Sequence, residues 1–228
     1  MQLTAILVLC LFASQAAEID DAIAALQRRD FVGAERKLRA IAAAHPDDAR
    51  ALSLLATALD NQSLAGEAEP FHRRAVDLAP RSVEVLNNFA IHLSMTGKEA
   101  EARGIYRRIV DVEPGNFNAN LLLAQLAIRD KHGEEALRYL AHVPENPPIL
   151  LMQMNALYLT GKTDEGDALG PRLTGMARGN TPLMMAVAGA MKDARRFAQA
   201  KAAYQEALKG DPSNTEIQSA LAELNRHE

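Results

Sequence analysis

Apolar residues along the chain return at offsets of three, four and seven, as in the set Leu52, Leu55, Ala56 and Leu59 and the set Leu86, Phe89, Ala90 and Leu93. An α-helix turns once every ~3.6 residues, so each set falls on one side of a helix and predicts a single apolar face. A second stripe, Ala102, Tyr106 and Ile109, follows after Thr96-Gly97, a dipeptide suited to a tight turn. The predicted unit is therefore a helical hairpin.

The hairpin recurs. Pro46, Pro80, Pro114 and Pro148 are evenly spaced with a period of 34, and each follows an alanine twelve positions earlier, at Ala34, Ala68, Ala102 and Ala136. A fixed period of this length marks stacked units, none of which can bury its apolar face alone. Six hairpins are expected, at 17–48, 49–82, 83–116, 117–148, 149–180 and 181–214. A helix over 215–228 follows, whose Ile217, Leu221 and Leu224 would close the end of the stack while Glu216, Gln218, Glu223 and Asn225 face water.

Three hairpins depart from the pattern. In the first, Glu18 and Asp21 occupy places where apolar residues are expected, and Ile19, Ile23 and Leu26 restore a face one register away. In the fourth, Pro144, Pro147 and Pro148 should shorten the second helix, because a proline inside a helix costs ~3 kcal/mol or more. In the fifth, Gly166, Gly170, Pro171, Gly175 and Gly179 are expected to interrupt the second helix, and the interval from Pro148 to Pro212 falls four positions short of two periods. Thr181 is the expected N-cap of the sixth, with Pro182 at the first helical position.

The third hairpin carries Leu86, Phe89, Ala90, Ala102, Tyr106 and Pro114, and the last carries Phe197, Ala200, Tyr204, Ala207 and Asp211-Pro212. In this combination the chain from residue 17 to 228 resembles a tetratricopeptide repeat protein, of a bacterial and exported kind. The resemblance implies an all-α, right-handed superhelical solenoid with a concave wall lined by the first helix of each pair. It further implies a non-catalytic scaffold that holds a peptide or protein segment against that wall. The groove would then present Arg50, Ser53, Thr57, Asn87, Ile91, Asn118, Leu121, Gln125 and Gln153.

Amide side chains donate and accept at once, which suits them to the backbone of an extended peptide. Each such bond contributes only ~0.5–1.5 kcal/mol net, so several must act together with apolar pockets. Tetratricopeptide domains that grip a chaperone's terminal carboxylate set Lys and Arg beside Asn. Here Asn87 and Asn88 are flanked by Ser53, Thr57, Asn118 and Leu122, so that basic clamp is missing. Similar six-repeat proteins serve pilus or secretion machinery, which makes cell-envelope assembly the expected setting. The alternative is a self-associating structural subunit of an envelope complex.

Composition narrows the choice of partner. A formal net charge of −4 supplies no positive field to draw in phosphate backbones, so nucleic acid is not expected, and the RNA-reading pentatricopeptide repeats are disfavoured. The apolar run Leu3 to Ala13, followed by Ser14-Gln15-Ala16-Ala17, reads as a signal peptide over 1–16 and predicts a periplasmic or secreted protein. The run is shorter than the ~20 residues that span a bilayer. Leu9 precedes Cys10, where an acylation signal needs a small residue, so membrane attachment through the chain's single cysteine is not expected.

Catalytic chemistry is absent from the pattern. The six histidines, His45, His72, His92, His132, His142 and His227, show no ligand spacing, and His72 reads as a partly buried substitute for a large packing residue. There is no Gly-rich phosphate loop and no GxSxG elbow. No enzyme activity, cofactor, metal or small-molecule substrate is therefore expected.

Overall fold

The computed structural model describes residues 16–226, so residues 1–15 of the expected leader, Cys10 and His227 lie outside the described residues. Among the described residues there are thirteen helices and no strand. Two compact units divide the chain, one ending at Pro114 and the other starting at Gly115. The first holds α1 (16–27), α2 (Phe31–Ala44), α3 (Ala49–Asp60), α4 (Ala65–Leu78), α5 (Val83–Met95) and α6 (Glu99–Val112). The second holds α7 (Phe117–Arg129), α8 (Gly133–Leu140), α9 (Pro147–Leu159), α10 (Thr163–Met176), α11 (Thr181–Asp193), α12 (Phe197–Gly210) and α13 (Thr215–Leu224).

Local chemistry explains why the chain folds back where it does. The first helix of each hairpin from the second onward starts at a side-chain cap: Asp48, Ser82, Asn116, Asn146, Asn180, and Asn214 for α13. Each accepts a backbone N–H of the first turn, which would otherwise lack a partner. Asn180, and not Thr181, therefore caps α11. Inside the hairpins the turn uses a left-handed residue, in order Arg29, Ser63, Gly97, Lys131, Gly161 and Arg195. The next N–H reaches back five residues, as in Leu64 to Leu59 (3.0 Å) and Lys98 to Leu93 (2.8 Å), closing the preceding helix.

These markers give the true register. The capping residues from Asp48 to Asn116 step by 34, Asn116 to Asn146 is 30, and the period then returns to 34. The four missing residues are lost in the fourth hairpin, where α8 has 8 residues against 14 in α4. Pro144 is thus the counterpart of Pro46, Pro80 and Pro114, while Pro148 lies inside the first turn of α9, behind the Asn146 cap. The expectation of an interrupted fifth hairpin is corrected too, since α10 runs unbroken through Pro171 for 14 residues.

Packing follows the apolar stripes. In the first unit α3 contacts α2, α4 and α5, and α5 contacts α6. Leu55, Leu59, Leu86, Leu93 and Ile109 are among its fully buried side chains, each worth roughly 1.5–3 kcal/mol relative to exposure. Ile19 is buried as well, while Glu18 and Asp21 stay exposed, as the shifted register of the first hairpin requires. In the second unit α9 packs on α7, α8, α10 and α11, and α13 covers α12 with Ile217 and Leu224 buried. Among the described residues no helix is long and apolar enough to cross a membrane.

Candidate functional site

In the second unit the first helices α7, α9 and α11 lie side by side and leave a cleft of about 720 Å³. Its α9 wall is Leu151, Asn155, Tyr158 and Leu159, residues on one helical face. The α11 wall is built from Ala186, Gly189, Ala190 and Ala194, which keep the space open because they carry little or no side chain. Ile128 and Arg129 of α7 and Lys131 just after it border the opposite side, and Asp193 supplies a carboxylate at the α11 end.

Tyr158 is the organising residue of this wall. Its ring rests on Gly166 of α10, where an added Cβ would stand 2.5 Å from Cε1. Its hydroxyl donates to Asp167 Oδ1 at 3.0 Å, and Asp167 also accepts from Arg196. Burial, and then the hydrogen bond to Asp167 and that residue's charge, push the Tyr158 phenol up to about 12. The phenol therefore keeps its proton, and the hydrogen bond it donates to Asp167, well into the alkaline range. Among the described residues the lining is mostly apolar, with Asn155, Tyr158, Arg129, Lys131 and Asp193 as its polar groups, so it offers apolar contact and hydrogen bonding.

The nine side chains expected from the sequence lie outside this cleft. In the first unit Arg50 is exposed and pairs with Glu84 (Nε to Oε1, 3.2 Å). Ser53 is 1% exposed and accepts from Asn88 Nδ2 at 3.0 Å, so it supports α5 instead of facing solvent. Thr57 is half-buried and returns its hydroxyl to the Ser53 carbonyl. Asn87 and Ile91 lie one helical turn apart on α5, and Met95 extends the same stripe, with Ile91 51% and Met95 66% exposed.

In the second unit Asn118 and Gln125 are exposed and Leu121 packs against the local core, but none of them, nor Gln153, lines the cleft. With the four-residue loss in the fourth hairpin included, the residue in register with Gln125 is Asn155, and the one in register with Leu121 is Leu151. Both line the cleft.

Sequence reasoning also missed a convergence in the first unit. His72 and His92, taken as dispersed, both bond Asp60, and His72 is wholly buried where partial burial was expected. The available signal was that each stands at a register filled by apolar residues in other hairpins.

Comparison with known proteins places these observations. Two sequence profiles, each described as a tetratricopeptide repeat, match residues 93–148 and residues 19–83 with 192–228, together more than half of the chain. No curated protein sequence matches it. Among solved structures it is similar to pilF of Pseudomonas aeruginosa, at 19% identity and a TM-score of 0.63 over 92% of this chain and 98% of that one. It is also similar to PilW, described as a widely conserved type IV pilus biogenesis factor, at 17% identity and 0.60 over 91% and 98%. YrrB, described as having an unusual peptide-binding site, matches at 14% and 0.66 over 80% and 96%. At these identities the likeness shows the all-α solenoid fold.

Proposed function

We propose that this chain, which belongs to the tetratricopeptide repeat family, is a non-catalytic scaffold that holds an extended protein segment against the first helices of its hairpins. The observation that carries this reading is the cleft between α7, α9 and α11, with an apolar floor and one amide, Asn155, at its centre. Apolar side chains of a guest would fill the space left by Ala186, Gly189 and Ala190, and Asn155 would pair with its backbone. Arg129, Lys131 and Asp193 at the borders would select orientation more than strength.

Cell-envelope assembly is the proposed setting, and an exported location goes with it. Support comes from the apolar leader-like run at residues 3–13 and from fold-level likeness to pilF and PilW. A self-associating structural subunit is the alternative role.

The test is site-specific photocrosslinking in cells, with the reactive group at Leu159 in the cleft or at Glu216 on α13. A discrete crosslinked partner is expected from position 159 and not from 216, and it should vanish when Gly189→Arg fills the cleft. Equal products from both positions, or products indifferent to Gly189→Arg, would defeat the groove reading. A product at twice the chain mass would favour self-association.

A further inference from the structure

Asp60 ends α3, His72 lies midway along α4 and His92 stands in the last turn of α5, so three helices of the first unit bring one side chain each to a common point. Both histidines are 0% exposed and Asp60 is 9% exposed. His72 Nε2 is 2.8 Å from Asp60 Oδ2, His92 Nδ1 is 2.8 Å from Oδ1, and the two ring centroids are 4.9 Å apart. Among the described residues this is the one group of three or more His, Cys, Asp or Glu side chains whose ligand atoms all lie within 4.8 Å of one another. Phe89 stacks against both rings, at 5.8 and 6.2 Å, and keeps the surroundings apolar.

Hydrogen bonding alone leaves this cluster poorly satisfied. A carboxylate only accepts, so the two nitrogens facing Asp60 carry the protons. His72 Nδ1 and His92 Nε2 are then buried with no partner. At the same registers other hairpins carry Leu38, Leu140, Tyr106 and Tyr204 where His72 stands and Ala58 and Ala156 where His92 stands, while the Asp60 register is mixed, with Leu26 and Ile128 but also Ser94, Tyr158 and Lys192. Two imidazoles that replace apolar or aromatic residues, both turned onto one nearly buried carboxylate, set this core point apart.

We propose that Asp60, His72 and His92 bind one divalent transition-metal ion, with Zn²⁺ best matched to the donor set, and that the ion ties the second hairpin to the third. Two imidazoles and a carboxylate are ligands that zinc and its neighbours favour. Such donors stand about 2.0–2.2 Å from the ion, hence roughly 3–3.5 Å from one another, so the nitrogen–oxygen pairs need to open by only a few tenths of an ångström. Binding shifts the proton of each facing nitrogen to the other nitrogen of its ring, the atoms now without partners. No proton is lost, and the ion adds its two positive charges to the cluster. The ion enters on the side of Asp60, the least buried of the three, and a water completes its shell. The site is structural, because buried imidazoles leave no access for a substrate.

The test uses the full mature chain stripped with a chelator. Cobalt(II) titration should give the visible absorption of protein-bound cobalt, displaced by zinc, and thermal unfolding should move upward with the logarithm of zinc concentration. The double variant His72→Gln with His92→Asn keeps an N–H donor at each facing position, so Asp60 retains both hydrogen bonds while the ligating lone pairs are gone. It should stay folded and lose affinity by about 100-fold or more, although His45, His132, His142 and His227 remain. Wild-type protein with neither cobalt absorption nor a zinc-dependent shift would overturn the proposal, as would a double variant that keeps both. Should the variant not fold, X-ray absorption of the zinc-loaded wild type decides: two imidazoles in the shell support the site, and a shell without them sinks it.

Discussion

The two units solve the same problem, fastening one hairpin to the next, by different means. The first uses polar side chains of full size: Asp60 between two imidazoles in the core, and at the surface Glu69, which accepts from Lys98 Nζ at 2.6 Å and from Arg73 at 2.7 Å. The second uses missing side chains. Gly133 of α8 brings that helix so close to α9 that a Cβ would lie 2.5 Å from the Ala156 carbonyl oxygen, and within the fifth hairpin Gly166 of α10 seats the Tyr158 ring of α9. Its aspartate, Asp167, is partly exposed and faces a guanidinium and a phenol. Burial sets the stakes, because a carboxylate in the core depends on each partner, while one at the surface can exchange a partner for water.

The largest effect that would sharpen this contrast is expected from His72→Ala. It leaves a cavity and a buried carboxylate with one hydrogen bond, and should lower the unfolding free energy by about 3–5 kcal/mol in chemical denaturation. Arg196→Ala, at the partly exposed cluster, should cost less, and its effect should shrink as salt is added. An equal cost for the two would erase the distinction.

Glycines come next. Gly133→Ala should destabilise by about 1–3 kcal/mol, because the contact is with backbone that cannot swing aside. Gly104→Ala, in the middle of α6 with nothing within 4 Å of the added Cβ, should stabilise by about 0.5–1 kcal/mol. A gain at both positions would mean that the close approach of α8 to α9 is not required.

The smallest effects are those of pH. The hydrogen bond from Lys98, followed by that from Arg73, holds the Glu69 carboxyl down to about 2. A lowered folded value means that this stabilisation is present above the ordinary 4.5 and is lost as pH falls toward 2. Glu69→Gln should flatten that part of an acid-denaturation curve. Tyr158 behaves oppositely: raised from 10.0 to about 12, it contributes stability below pH 10 that is lost as pH climbs through 12. Tyr158→Phe should remove that alkaline decline, followed by circular dichroism, and with it the late rise in tyrosinate absorbance.

Much of the architecture was legible in the chain. The stripes around Leu52 and Leu86 gave helices, and the prolines at 46, 80 and 114 gave the period. Shortening of the fourth hairpin followed from its prolines as well. Pro148 continued the arithmetic although four residues had been lost upstream, and Leu151, Asn155 and Tyr158, which line the cleft, were not singled out. Ser53 was expected to face outward, but it is buried and accepts from Asn88 on the neighbouring helix.

Helix formation and turn chemistry depend on residues within about five positions of one another, and the period is carried by residue types that recur, so the order of amino acids determined them. Asp60, His72 and His92, by contrast, belong to three successive helices, and what brings them to 2.8 Å contacts is the angle and depth at which those helices pack. The cleft beside Tyr158 likewise depends on α7, α9 and α11, each separated from the next by a whole intervening helix. Those are tertiary quantities, set by side-chain volumes summed across interfaces, and only the folded structure decided them.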